Sequence, residues 1–205
     1  MGKKISMHTR QTVWNNMCAE IRDCKECVLW ETRNKAVVFR GNPFSADWCF
    51  VAEAPGEDED IRGKVLVGPS GKLFNKFLAD CKMPVDKWVA INVLNCRPPK
   101  NKFPKKDVAA ICPQRYLWLK LDLIRPKFIV AMGKNAAAAF IKDINKMGSV
   151  AGQAMDPLPK WKADYLKKVF ITYHPAYALR QGHAVGVIRS HMRFFMAYTK
   201  NEGLR

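Results

Sequence analysis

The stretch VAEAPGEDED, residues 51 to 60, carries five acids in eight positions of a chain whose formal net charge is +17. A folded chain this basic, with 35 lysines and arginines against 18 acids, points to a polyanionic partner. Such a protein gains nothing from negative charge on its binding face unless the chemistry there requires it. A carboxylate can orient water or stabilise a developing cation, and that is the chemistry this stretch offers. Two other segments hold reactive or recognising side chains beside prolines: NCRPPKN from residue 95 and HPAY from residue 174.

Cysteine supplies a second constellation. Cys24 and Cys27 form a C-x2-C pair, whose two sulfurs can face a single centre from one turn. A redox dithiol uses the same spacing. Cys96 lies just past an apolar run and Cys112 is expected to open a helix, so both can be brought to the N-terminal pair. Four thiolates suit zinc or an iron–sulfur cluster, and spacing does not separate the two. Cys49 and Cys81 read as small core residues, and Cys18 as a spare ligand near Cys24.

These side chains must be carried by regular elements. WCFVA (48–52), WVAINVL (88–94), KFIVAMG (127–133) and VFITYHP (169–175) are compact apolar runs that read as buried strands. Helical periodicity falls between them, at 12–21, from Lys72 through LFNKFLADC, at 106–123, in NAAAAFIK, and at 187–198. The acidic stretch itself reads as an irregular loop, with Glu57, Asp58 and Asp60 as solvated charges. Strands alternating with helices predict an α/β fold, a three-layer α/β/α sandwich around a mostly parallel four-stranded sheet. In such sheets ligands bind beyond the carboxyl ends of the strands, and EAPGEDED, NCRPP and HPAY all fall there.

The chain has 205 residues, 48% of them hydrophobic, which fits one domain of ordinary size. No apolar run approaches the ~20 residues needed to span a bilayer, and MGKKISMHTR lacks a signal-peptide core. The expectation is a cytoplasmic monomer with no membrane partner, its cysteines thiols or metal ligands rather than disulfides.

CKEC with VLWETR, AEAPGEDED, VGPSGKLFNKFL, INVLNCRPPKN, Cys112, VAMGKNAA and TYHPAYALR occur in this order over roughly residues 20 to 180. In these segments the chain resembles the uracil-DNA glycosylase superfamily, and in particular its family 4 enzymes, which carry an iron–sulfur cluster. The resemblance implies a parallel sheet between helices and a structural [4Fe-4S] cluster on Cys24, Cys27, Cys96 and Cys112. The N-terminal helix and CxxC segment, about 10–35, would pack on that cluster within a single domain spanning 1–205. It also implies a DNA partner, single- or double-stranded, whose target nucleotide is flipped into a pocket before its glycosidic bond is hydrolysed.

By the same resemblance Asn92 reads the base, since an amide matches the N3–H and O4 edge of uracil. His174 faces the leaving base, and Glu53 and Glu59 supply the carboxylates near sugar and water. Ala54 and Leu66 belong to the base-binding wall, while Ser70, Lys72, Arg97, Tyr177, Leu179 and Arg180 contact DNA. Lys100, Lys102 and Arg189 are further candidate phosphate contacts. Three positions qualify the transfer. Ala54 stands where a better-known family has a water-activating aspartate, Leu66 where family 4 usually has a base-stacking phenylalanine, and Ala178 where a leucine wedge is common. Tyr177 and Leu179 flank the last and are candidate wedges. The expected activity is therefore excision of uracil from DNA in base-excision repair. Leu66 motivates an alternative, excision of a bulky modified pyrimidine such as glucosylated hydroxymethylcytosine in defence against a virus. A DNA-binding module without activity is the third reading, and a zinc protein binding RNA a fourth.

Overall fold

A computed structural model describes residues 6–142, 144–159 and 163–201. Four strands, β2 (Trp48–Ala52), β3 (Trp88–Asn92), β4 (Phe128–Met132) and β6 (Lys168–Thr172), run parallel in the order β3-β2-β4-β6. These are the four apolar runs of the sequence. Two short strands extend the edges antiparallel: β1 (Arg40–Gly41) on β3, and β5 (Ala154–Met155) on β6. The sheet thus has six strands rather than four. Two-residue edge strands carry too little periodicity to be read from sequence.

Both faces of the sheet are covered. Alternation along the strands sends Cys49, Val51, Val89, Ile91, Ile129, Ala131, Val169 and Ile171 to one core. There they meet Trp14, Met17 and Ile21 of α1 (Met7–Asp23), with Leu117 and Leu121. The alternate residues Trp48, Phe50, Ala90, Phe128, Val130 and Phe170 face the other core. It is closed by Phe74 and Phe77 of α3 (Pro69–Asp80) and Ile188, Met192 and Phe195 of α8 (Ala184–Asn201). Phe195 is its hub, with ring centroids 5.0–6.4 Å from Phe170, Phe128, Phe50 and Trp48. Burial on both faces is why these strands are near-continuous apolar runs.

Two expectations need correction. The acidic stretch is helical: α2 (Glu57–Arg62) places four acids in its first turn, where the positive end of the helix dipole favours them. Asp60 is fully buried rather than solvated, accepting from the backbone N–H of Asn34 and Lys35 and from the Asn34 amide. Cys112 closes a helix rather than opening one, ending α4 (Lys106–Cys112). Pro113 follows inside the helical run, and without an N–H to continue the ladder it starts a π turn (Pro113–Leu117) before α5 (Trp118–Ile124). No described helix is long and apolar enough to cross a membrane.

Candidate active site

The parallel sheet brings the ends of β2, β3 and β6 to one edge, and a cleft of about 330 Å³ opens there. That is the lower end of the size range of small-molecule sites, ~300–1,000 Å³. Of the sequence-nominated residues Glu53, Ala54, Glu59, Leu66, Ser70, Asn92, His174 and Arg180 line it together. His174 and Asn92, 82 positions apart in the chain, therefore share one cavity.

His174 is the N-cap of α7 (Pro175–Arg180), and its Nδ1 accepts from the Ala176 N–H at 3.1 Å. Burial, reinforced by the Arg180 charge, lowers its pKa to about 4. The ring is therefore neutral at pH 7, and with Nδ1 accepting, the proton sits on Nε2. Gly133 sits beside this residue: a Cβ there would lie 3.4 Å from the His174 Cβ, an ordinary contact, and it is the φ of +92° that calls for glycine. Asn92 is 2% exposed, and its Nδ2 has no hydrogen-bond partner among the described residues. A buried donor left unpaired costs about 1–3 kcal/mol, so a ligand with an acceptor at that point recovers it.

The two carboxylates differ in their situation. Glu59 is occupied by the backbone: Oε1 accepts from Val67 and Gly68 at 2.8 Å each, and Oε2 from Gly56 at 3.2 Å. It pins the loop that forms one wall of the cleft. Glu53 is held by fewer bonds. Burial raises its pKa above the usual carboxylate range, with the Asn135 side chain and the Arg180 charge pulling the other way. Of the two, Glu53 is the carboxylate available to a reactant.

Leu66 lies in that wall with φ +53°, uncommon for a residue with a side chain and typical of functional loops. The strain is held in place on two sides. Arg40 Nη1 donates to the Leu66 carbonyl at 2.5 Å, and a Cβ at Gly71 would fall 1.9 Å from that oxygen. The remaining nominees, Lys72, Arg97, Tyr177 and Leu179, are not among the residues that line the cleft. Lys72 is exposed on the first turns of α3, and Leu179 is 52% exposed on α7. Tyr177 stacks on Tyr173 at 4.9 Å. Arg97 donates to Asn101 Oδ1 at 2.8 Å and approaches Glu57 at 3.5 Å. Arg189 is engaged elsewhere, with Asp80 at 2.8 Å. Sequence reasoning passed over Asn101, which lines the cleft at φ +55°. The signal was present: asparagine tolerates the left-handed region, and this one follows a Pro-Pro pair at a strand end.

On the opposite side of the sheet Cys24, Cys27, Cys96 and Cys112 line one small cavity with Arg33, Asn95 and Tyr116. Donors already point at the sulfurs. Arg33 Nη1 lies 2.9 Å from Cys96 Sγ and the Asn95 N–H reaches Cys112, while the Tyr116 hydroxyl donates to Glu20 at 3.3 Å. Among the described residues no three His, Cys, Asp or Glu side chains are gathered closely enough for a metal ion. A single zinc draws its sulfurs in to about 2.3 Å from one centre. A cubane takes one thiolate at each iron corner and so seats its cysteines farther apart. Four thiols lining one cavity match the donor set of a cubane, one thiolate for each iron.

A parallel sheet whose strand ends surround a small polar cleft, on a strongly basic chain, is an α/β ligand-binding architecture suited to an anionic partner. Known proteins narrow it. Residues 38–196 match the family described as the uracil DNA glycosylase superfamily. A type-4 uracil-DNA glycosylase of Saccharolobus solfataricus is 37% identical over 162 residues, covering 78% of this chain and 74% of that protein. That of Thermotoga maritima is 33% identical over 176 residues, 85% and 87% of the two chains. The Archaeoglobus fulgidus protein of the same name is 35% identical over 169 residues, 80% and 82%. The chain belongs to the uracil DNA glycosylase superfamily and, within it, to the type-4 family.

Proposed function

We propose that this protein is a monofunctional DNA glycosylase that removes uracil from DNA and leaves an abasic site. The observation that carries the reading is the shared cleft of a neutral, Nε2-protonated His174 and an unpartnered Asn92 amide. The relatives named for uracil excision support it. Nothing in those names points to a modified pyrimidine.

A uracil turned out of the duplex presents O4 to Asn92 Nδ2 and N3–H to its Oδ1. As the bond between N1 and C1′ breaks, negative charge gathers on the base, and His174 Nε2–H donates to O2. A neutral donor suits this step because it stabilises the anion without having to protonate it. Positive charge builds on the sugar, where Glu53 orients a water; the oxygen bonds C1′ and the carboxylate takes the proton. This answers the question posed by the acidic stretch. One acid serves the sugar and water, and others, Glu59 and Asp60, hold the loop that carries it. Arg180, Ser70, Lys72 and Arg97 are the DNA contacts in this reading, with Leu179, the more exposed of the two candidate wedges, filling the hole in the stack.

Cys24, Cys27, Cys96 and Cys112 are proposed to hold a [4Fe-4S] cluster. When bound it supplies a covalent tie rather than a reactive group, fastening the segment after α1 to the loop after β3 and to α4. Wild-type enzyme incubated with uracil-containing and matched thymine-containing oligonucleotides should generate alkali-labile sites in the former alone. No release at enzyme excess, in a preparation that contains iron, rules out uracil as the substrate. A colourless protein without iron rules out the cluster.

A further inference from the structure

The mechanism above leaves one buried charge without a task. Lys120, on α5, is fully inaccessible to solvent. Its Nζ donates to two neutral acceptors, the Val38 carbonyl at 3.0 Å and Asn95 Oδ1 at 2.5 Å, and among the described residues no carboxylate pairs with it. A buried ammonium without an anion is strongly disfavoured. Its link to the cysteines is through Asn95, which lines the four-cysteine cavity; burial lowers its pKa to about 8, and the nearby Cys112, Cys18, Cys49 and Cys96 oppose that only in part. Asn95, the residue it grips, sends its own backbone N–H to Cys112 and immediately precedes Cys96.

We infer that Lys120 is the buried counter-ion of the four-cysteine centre, and that with Arg33 it balances the charge of the bound cluster. The inference rests on the cluster proposed above. Four thiolates around a cubane carrying two positive charges leave two negative charges. Arg33, on Cys96 Sγ at 2.9 Å, and Lys120 supply two positive ones. Arg115 is offset by Glu20 at 2.6 Å and Glu26 at 3.3 Å. The countercharge favours the more negative, reduced state of the cluster and opposes loss of iron. Lys120 is a positioning and charge-balancing residue; it has no place in base excision.

Two variants separate charge from tether. Lys120→Met removes charge and hydrogen bonds with little change in volume, whereas Lys120→Gln keeps a donor for Val38 and Asn95. In anaerobically purified protein both should move the cluster midpoint potential to more negative values. Both should also speed iron release to a chelator by about ten- to a hundredfold, as loss of outer-shell partners does elsewhere. Without the cluster the sign reverses: iron-free Lys120→Met should resist urea better than iron-free wild type, because the ammonium then lacks its anion. The iron-free comparison decides the matter even where a variant fails to assemble a cluster. Equal potentials and release rates in loaded proteins overturn the inference, as does Lys120→Gln behaving like wild type while Lys120→Met does not. So does an iron-free Lys120→Met no more stable than its parent. Wild type that never binds iron sinks the cluster itself, a different failure.

Discussion

His174 shows how a single side chain is prepared by its surroundings. Replacing it with alanine should lower kcat on a uracil substrate by on the order of 10²–10³, about 3–4 kcal/mol, the worth of one preorganised donor. The pH dependence follows from its lowered pKa of about 4. The rate should show no inflection near pH 6.5, because the imidazole is neutral well below that. Its acid limb should belong to Glu53, above the usual carboxylate range, and vanish in Glu53→Gln. Stability follows the same linkage. The unfolded chain binds the histidine proton more readily, so this residue's contribution is complete above about pH 6.5 and lost as pH falls towards 4. Leu66 offers a gain instead of a loss. A phenylalanine there can stack on the base, worth ~1–3 kcal/mol, so Leu66→Phe should lower KM for uracil substrates about tenfold. The apolar runs placed the loops carrying His174, Asn92 and Glu53 at one sheet edge, and the structure brings the three into one cleft, but their roles came from the family resemblance. Asn101 and Lys120 were not legible in the sequence: one looks like an ordinary turn residue, the other like a solvated helix charge.

Elements convert these side chains into a geometry. The six-residue helix α2 hid in the sequence because its charges suggest a loop, and periodicity is weak over so few residues. Its Glu59 ties three backbone N–H groups of the cleft wall, each such bond to a charged group being worth about 1.5–3 kcal/mol. Glu59→Ala should therefore lower both the melting temperature and kcat/KM, and Glu59→Gln, which keeps an acceptor oxygen, should recover part of each. α8 is held by Phe195, in the same core as the cleft residues Ala52 and Leu66. Phe195→Ala should cost about 3–5 kcal/mol in urea unfolding. The long helices and the four central strands were readable, since their buried faces impose strict periods. The π turn at Pro113 and the two edge strands follow from local backbone accounting that no pattern of apolar residues announces.

Across the molecule the net charge of +17 acts as one quantity. DNA affinity should fall linearly with salt on logarithmic axes, each phosphate contact contributing a slope of about −0.9, and Arg180→Ala should reduce that slope by about one. The parallel order β3-β2-β4-β6 also has a consequence in time. Consecutive central strands are joined by long crossovers, and β2 pairs with β4 only after the chain has passed through β3, so the cleft is a product of late chain closure. On a ribosome adding ~5–20 residues per second, Asn92 emerges roughly four to sixteen seconds ahead of His174. A nascent chain thus carries Asn92, the proposed reader of the base, well before His174, the proposed donor to it, and the proposed site is incomplete until β6 has joined the sheet.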